Sequence, residues 1–430
     1  MLKKINPLLI QAVLFVLTIF TTTLVGAEWI AIRLPNDSDW DFFSRGFAYS
    51  IPFLGILTVH EMGHYLVARY YKVAVSLPYY IPIFIPGLMP QIGTMGAVIK
   101  MNSRSASKKE IFDIGVAGPL AGFFVAILIL FYGFTHLPER EHIFKVHSDY
   151  KEVELKSSKP YESIVYTYKY ARERDSLSSV ARIKYYNEHK NDNLIKLLSF
   201  FGFAPKPPFI PAENYNELAL GKNLIFLFFE NYVVQDKSLI PNKYEMAHYP
   251  FIFAGFLALF FTALNLFPIG QLDGGHVVYG LFGYEKHKKI ATIVFVLFIF
   301  VAGLGIFKDN ILNINFFSAD GFDMIYFAAF YLGFLYFVFQ KTFVNPKTII
   351  MVSVIIFSIQ FMIEYLFPTF EGVSYGLVFG LLIGRFLGTD HPPAVIEEEL
   401  DLKRKLIGWF ALVVFILCLT PKVFEIVEFK

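Results

Sequence analysis

Apolar residues in this chain gather into long blocks instead of alternating with polar ones. Nine blocks begin near Leu8, Phe47, Phe112, Pro250, Lys289, Phe322, Thr348, Val373 and Leu406. A helix needs about 20 such residues to cross a bilayer. The eighth block, Tyr375 to Leu387, is short and glycine-rich, so whether it crosses stays open. The pattern predicts an all-α polytopic membrane protein with about 8–9 transmembrane helices.

Two stretches depart from it. Between Lys72 and Asn102 the chain is apolar, but Pro78, Pro82, Pro86 and Pro90 break any helix. Gly93 to Ile99 then reads as a short strand. Irregular backbone at membrane depth must be buried in protein or line a wet cavity. A re-entrant β-hairpin beside a site is therefore expected here, with a loop lying on the membrane as the plainer alternative. From His136 to Ala247 the composition turns to Lys, Glu, Tyr and Ser. That is one extramembrane insertion of small-domain size. The expected division is an N-terminal membrane part at 1–134, the insertion at 135–247, a second membrane part at 248–307 and C-terminal transmembrane helices at 308–430.

Basic residues in short loops set the orientation. Lys3 and Lys4 place the N-terminus in the cytoplasm. Arg104, Lys108 and Lys109, then Lys286, Lys288 and Lys289, then Lys341 and Lys347, and last Lys403, Arg404 and Lys405 fall on the same inner side. The first outer loop leans acidic through Asp37, Asp39 and Asp41, against Arg33 and Arg45. The first apolar run, Leu8 to Ala27, is longer than the apolar region of about 7–15 residues in a signal peptide. A retained first span is expected.

Composition agrees. Of 430 residues, 55% are hydrophobic and only 17% charged, where a soluble domain carries about a quarter charged. The net charge of +2 gives no reason to expect a nucleic-acid partner. Cys418 is the single cysteine, so neither an internal disulfide nor a cysteine-based zinc site can form.

The chemistry begins at His60-Glu61-Met62-Gly63-His64, an H-E-x-x-H pattern. On a helix the two histidines share one face, with Cβ atoms about 6 Å apart, and can grip one zinc ion. Zinc lowers the pKa of water to about 7, and Glu61 is placed to take the proton. The motif lies inside an apolar span, where ionisable residues are costly and functional by default. A catalytic zinc takes three protein ligands and keeps one position open. The third falls at similar depth in Asn265 to His276, at the inner end of the fourth span: Asp273, with His276 as the alternative. Pro268 and Gly270 break that helix and free Asp273 to turn inward. Asn265 is either a hydrogen bond between helices or a donor to the developing oxyanion of a scissile carbonyl. Glu364 reads as an interfacial residue at the outer end of its span. His136, His142, His147, His189, His248, His287 and His391 read as solvated or capping.

Together these residues resemble the site-2 protease family of intramembrane zinc metalloproteases, in its plastid and prokaryotic branch without a PDZ domain. Besides His60-Glu61-x-x-His64, the resemblance rests on Asn265, Pro268, Asp273 and Gly274, on Gly93 to Ile99, and on Phe112 to Gly122. The opening run from Leu14 to Ala27 is similar too. It covers about residues 8 to 134 and 215 to 285. It implies one zinc per chain held by His60, His64 and Asp273, with Glu61 as base and Asn265 near the substrate carbonyl. It also implies a strand near the active site, at Gly93, Thr94, Met95 and Gly96, and transmembrane protein substrates cut in regulated intramembrane proteolysis. The expected setting is a prokaryotic cytoplasmic membrane. Substrate helices hide their carbonyls, so a segment must unwind, and strand addition along Gly93 to Ile99 would hold it. Two rivals predict different results: a metal transporter would show metal flux, and an inactive scaffold would cleave nothing.

Overall fold

The computed structural model describes residues 6–32, 34, 36–85, 91–101, 107–167, 169–174, 215–307, 321–367, 376–420 and 422–429. All nine apolar blocks are helical in it. They are α1 (Pro7–Ile30), α3 (Phe47–Tyr70), α4 (Lys108–Thr135), α9 (Pro250–Asn265), α11 (Tyr284–Ala302), α12 (Gly321–Phe339), α13 (Pro346–Leu366), α14 (Gly376–Leu381) and α15 (Leu402–Cys418). A π-helical turn, Leu382–Leu387, extends α14. Among the described residues, four segments are long and apolar enough to cross a membrane: Pro7–Ile30, Asp39–Tyr70, Lys108–Thr135 and Pro346–Leu366. Pro250–Asn265, Met324–Phe339 and Gly376–Leu387 are apolar but shorter. Large apolar side chains on the outer faces stay exposed, among them Phe124, Leu128, Phe131, Ile325 and Phe330. Such broad apolar surfaces mark contact with lipid or a partner, and the architecture is that of an all-α membrane protein.

Helix α4 is the hub. It packs against α3, α9 and α10 (Asp273–Phe282), and the main core gathers Phe112, Leu130, Phe253, Phe256 and Val277 around it. Capping fixes where α4 starts: Ser107 accepts from the Glu110 N–H while Glu110 reaches back to the Ser107 N–H. A second apolar core joins α11 to α14 through Phe295, Ile299, Leu335, Val338 and Ile383.

The expected strand is present as β2 (Thr94–Val98), antiparallel to β1 (Tyr79–Pro82), with Tyr79 opposite Val98 and Tyr80 opposite Ala97. Pro86 and Pro90 lie outside the described residues. The backbone entering β2 is irregular and close to α1, and protein groups satisfy its carbonyls. Trp29 Nε1 donates to Gln91 O (2.7 Å), Tyr49 Oη to Ile92 O (3.0 Å) and Thr21 Oγ1 to Gly93 O (2.7 Å). Gly93 has φ +88°, and a Cβ there would strike Thr22 Cα at 2.6 Å, so only glycine fits.

The insertion begins with short helices α5 (Glu141–Val146), α6 (Ser148–Ser157) and α7 (Glu162–Val165), which share a small core of Ile143, Tyr150, Tyr161 and Val165. The expected helix from Ser163 to His189 and the proline-broken loop from Phe201 to Pro211 fall wholly or largely outside the described residues. Its last strand, β3 (Tyr215–Leu220), pairs antiparallel with β4 (Phe424–Phe429), so the two distant segments meet. Leu224–Phe228 (α8) then runs into a π-helical turn, Phe229–Val233.

Several predicted inner-loop bases find partners in residues 386–404. Lys109 pairs with Glu398 (2.9 Å), Lys288 with Asp390 (3.5 Å), and Lys341 donates to Phe386 O (2.9 Å). Arg404 clamps Asp113, with Nη2 at 2.7 Å from Oδ2 and Nε at 2.9 Å from Oδ1. The Lys109 and Arg404 bonds hold Glu398 and the first turn of α15 against the start of α4.

Glu364 is not interfacial. It is fully buried and accepts from the Gly305 N–H (2.7 Å) and the Phe307 N–H (3.2 Å), just beyond the end of α11. A carboxylate at a span end reads as interfacial in sequence; here it accepts from backbone donors beyond the end of a helix.

Candidate metal centre

The centre is built where α3 and the start of α10 meet beside α4. His60 and His64 sit one turn apart on α3 and are both buried. Their Nε2 atoms are 3.2 Å apart. Asp273 Oδ2 lies 3.5 Å from His60 Nε2 and 3.3 Å from His64 Nε2. A tetrahedral zinc with arms of about 2.0–2.1 Å spaces its ligand atoms about 3.3–3.4 Å apart. The three donors therefore already stand at the edges of such a tetrahedron, and the donor set fits the ion.

Neighbouring backbone explains how. His64 Nδ1 donates to the Ile114 carbonyl of α4 (2.7 Å), which leaves Nε2 with its lone pair toward Asp273. Helix α4 can come this close because it presents glycines. A Cβ on Gly118 would overlap the His64 ring at 2.1 Å, and one on Gly122 would meet His60 Cβ at 3.0 Å. The Phe112 to Gly122 signature is thus a smooth face for the histidine helix. Asp273 is delivered by a tight turn after α9. A Cβ at Gly274 would strike Leu266 O at 1.9 Å, and one at Gly275 would strike Gly270 O at 2.2 Å. The two glycines let the 266–272 loop fold back onto the first turn of α10.

His276, the alternative ligand, points elsewhere: its Nδ1 is 2.8 Å from His391 Nε2, and its Cβ packs toward Gly115. Among the described residues, the group able to share one ion here is His60, His64 and Asp273. Asn265 Nδ2 comes to 3.3 Å from His60 Nε2. Glu61 is buried beside them and lines the same cavity, of about 520 Å³. Met95 to Ile99 form another wall of that cavity, with Asn265, Gln271 and Leu272. Thr58 Oγ1 and Tyr80 Oη, 2.8 Å apart, tie α3 to the hairpin that carries this wall.

Two sets of histidines differ from expectation. His287 and His391 are buried near His276 and Tyr279 rather than solvated. His147 and His248 converge on Glu245, which pairwise spacing in the sequence could not reveal because His147 lies far from the other two.

The chain belongs to Peptidase family M50, whose model matches residues 48–205 and 233–303, just over half of its length. It is similar to "Probable zinc metalloprotease EGY1, chloroplastic" of Oryza sativa subsp. japonica, with 44% identity over 75 residues, 17% of this chain and 12% of that protein. It is similar to "Probable zinc metalloprotease EGY2, chloroplastic" of Oryza sativa subsp. indica, with 29% identity over 124 residues, 29% of this chain and 22% of that one. The EGY1 protein of Arabidopsis thaliana is 31% identical over 130 residues, 26% of this chain and 23% of its own. The chain thus spans less than a quarter of the length of these curated relatives. No solved structure matches it significantly. The family is one of peptidases, and these relatives are named as probable zinc metalloproteases.

Proposed function

We propose that this protein is an intramembrane zinc metalloprotease that hydrolyses peptide bonds of membrane-spanning substrates. The observation that carries the reading is the convergence of His60 Nε2, His64 Nε2 and Asp273 Oδ2, from two distant segments, at 3.2–3.5 Å. These three are the proposed zinc ligands. Zinc, when bound, polarises the scissile carbonyl and acidifies water.

The remaining steps belong to this chain's own groups. Glu61, next in sequence to one ligand and facing the same cavity, takes the proton from the attacking water and hands it to the leaving amine. Asn265 Nδ2, now against His60, is placed to donate to an oxyanion. The substrate segment enters as an added strand. β2 pairs with β1 in a two-stranded sheet, while its residues Met95 to Val98 wall the cavity. Gly93, Thr94, Met95 and Gly96 are the proposed contacts, through backbone hydrogen bonds of the kind used in strand addition.

We further propose 8–9 membrane crossings, with the N-terminus cytoplasmic in a prokaryotic inner membrane and the four-part division at residues 134, 247 and 307. The hairpin is re-entrant in this reading, and the reaction serves regulated intramembrane proteolysis. The test is Glu61→Gln on the full chain: substrate cleavage disappears while zinc content stays. Undiminished cleavage by purified Glu61→Gln protein would refute the assignment of the base.

A further inference from the structure

A second group, again two imidazoles and one carboxylate, gathers at the opposite end of α9 from Asn265. His147 follows α5 and precedes α6 in the insertion. Glu245 precedes, and His248 ends, a 3₁₀ turn, Met246–His248, that leads into α9. His147 Nε2 and His248 Nε2 each lie 3.3 Å from Glu245 Oε2. The three donor atoms all fall within 4.8 Å of one another. The two rings stand nearly perpendicular, with centroids 5.2 Å apart.

Each donor is pre-set by a neighbour. His248 Nδ1 donates to the Trp29 carbonyl (2.5 Å), which leaves Nε2 as the lone-pair nitrogen toward Glu245. Tyr166 Oη donates to Glu245 Oε1. The His147 ring stacks on Tyr150, centroids 4.4 Å apart. Outer partners of this kind orient metal ligands. The remaining oxygen, Glu245 Oε2, is buried and faces the two imidazoles, each 3.3 Å away. A buried carboxylate is costly unless cations or donors match it. A cation between it and the two imidazoles removes the cost. The group lines a cavity of about 220 Å³ with Trp29, Tyr150 and Tyr244.

We propose that His147, Glu245 and His248 form a second metal site, for zinc or a similar borderline divalent ion. Two imidazoles and one carboxylate suit zinc, whereas calcium and magnesium want oxygen ligands. The site joins the start of the insertion to the segment entering α9, and through the Trp29 carbonyl to the end of α1. A bound ion therefore clips the insertion to the start of α9 and the end of α1. This assignment does not depend on the proposed protease activity.

The experiment measures zinc per chain, by elemental mass spectrometry, in full-length detergent-purified protein equilibrated with zinc and freed of excess. The expected result is two ions in the wild type, one in His60→Ala/His64→Ala and one in His147→Ala/His248→Ala. Tyr166→Phe keeps every ligand and is expected to weaken the second ion's binding about tenfold. Because the His147→Ala/His248→Ala chain can lose its fold, the His60→Ala/His64→Ala protein is also titrated with cobalt(II). A visible ligand-field band there reports the second site in unaltered surroundings. No metal in His60→Ala/His64→Ala protein, and no cobalt band, would overturn the proposal. If instead the reading of the first centre fails, the wild type keeps one ion that His147→Ala/His248→Ala removes and His60→Ala/His64→Ala does not.

Discussion

Gly118 of α4 lies so close to His64 of α3 that a methyl group on it would sit 2.1 Å from Nε2. The same helix holds the other nitrogen of that ring through the Ile114 carbonyl. A proposed metal ligand is thus clamped between a glycine face and a backbone acceptor.

Gly118→Ala should therefore push the His64 ring away from Asp273. Zinc affinity is expected to fall by about 10–100-fold, the usual cost of disturbing a ligand's support, and cleavage with it. Gly55, also in a helix, has nothing within 4 Å of where a methyl group would project, so Gly55→Ala should leave both unchanged. Competition with a fluorescent zinc chelator reads the affinities.

Asn265 touches His60, and its two candidate roles separate cleanly. As an oxyanion donor, Asn265→Ala loses about 10²–10³-fold in kcat with zinc retained. As a mere helix-to-helix bond, the same change loses stability and spares kcat. The proposed function predicts the first pattern, read from steady-state kinetics beside zinc content.

The strand wall gives a third expectation. Gly96 has φ +103° and open space where a side chain would project. Gly96→Val forces a strained backbone, worth about 1–3 kcal/mol, in the segment proposed to pair with substrate. kcat/KM is expected to drop about tenfold or more, with zinc content unchanged, in a peptide-cleavage assay.

Glu364 tests the C-terminal helices separately. Glu364→Leu strands the buried Gly305 N–H group and removes an acceptor from the Phe307 N–H. Each unsatisfied group costs about 1–3 kcal/mol, so the unfolding midpoint in detergent should fall clearly while the His60–His64–Asp273 group keeps its zinc.

Local order in the chain announced some of this and not the rest. The nine helices were legible because each is a continuous apolar block, and the strand at Thr94–Val98 because prolines precede it and glycines punctuate it. His60 and His64 were legible from one helical turn. Asp273 needed one further step, that two spans running the same way bring their inner ends to one depth. What stayed hidden is tertiary. Glu364 looked interfacial because the donors it serves, Gly305 and Phe307, lie in another segment. His147 and His248 looked like scattered loop residues because folding, not spacing, brings them to Glu245. The hold of Glu398 and the first turn of α15 against α4 was foreshadowed only by opposite charges in separate segments. The glycines of α4 were visible as a signature, but their purpose needed the distance from Gly118 to an imidazole.

The most direct test of the central claim is anomalous diffraction at the zinc absorption edge from crystals of the active protein. The account predicts a peak within about 2.0–2.2 Å of His60 Nε2, His64 Nε2 and Asp273 Oδ2 together. A zinc peak held by the two histidines with His276 in place of Asp273, or no metal there in protein that still cleaves, would contradict it.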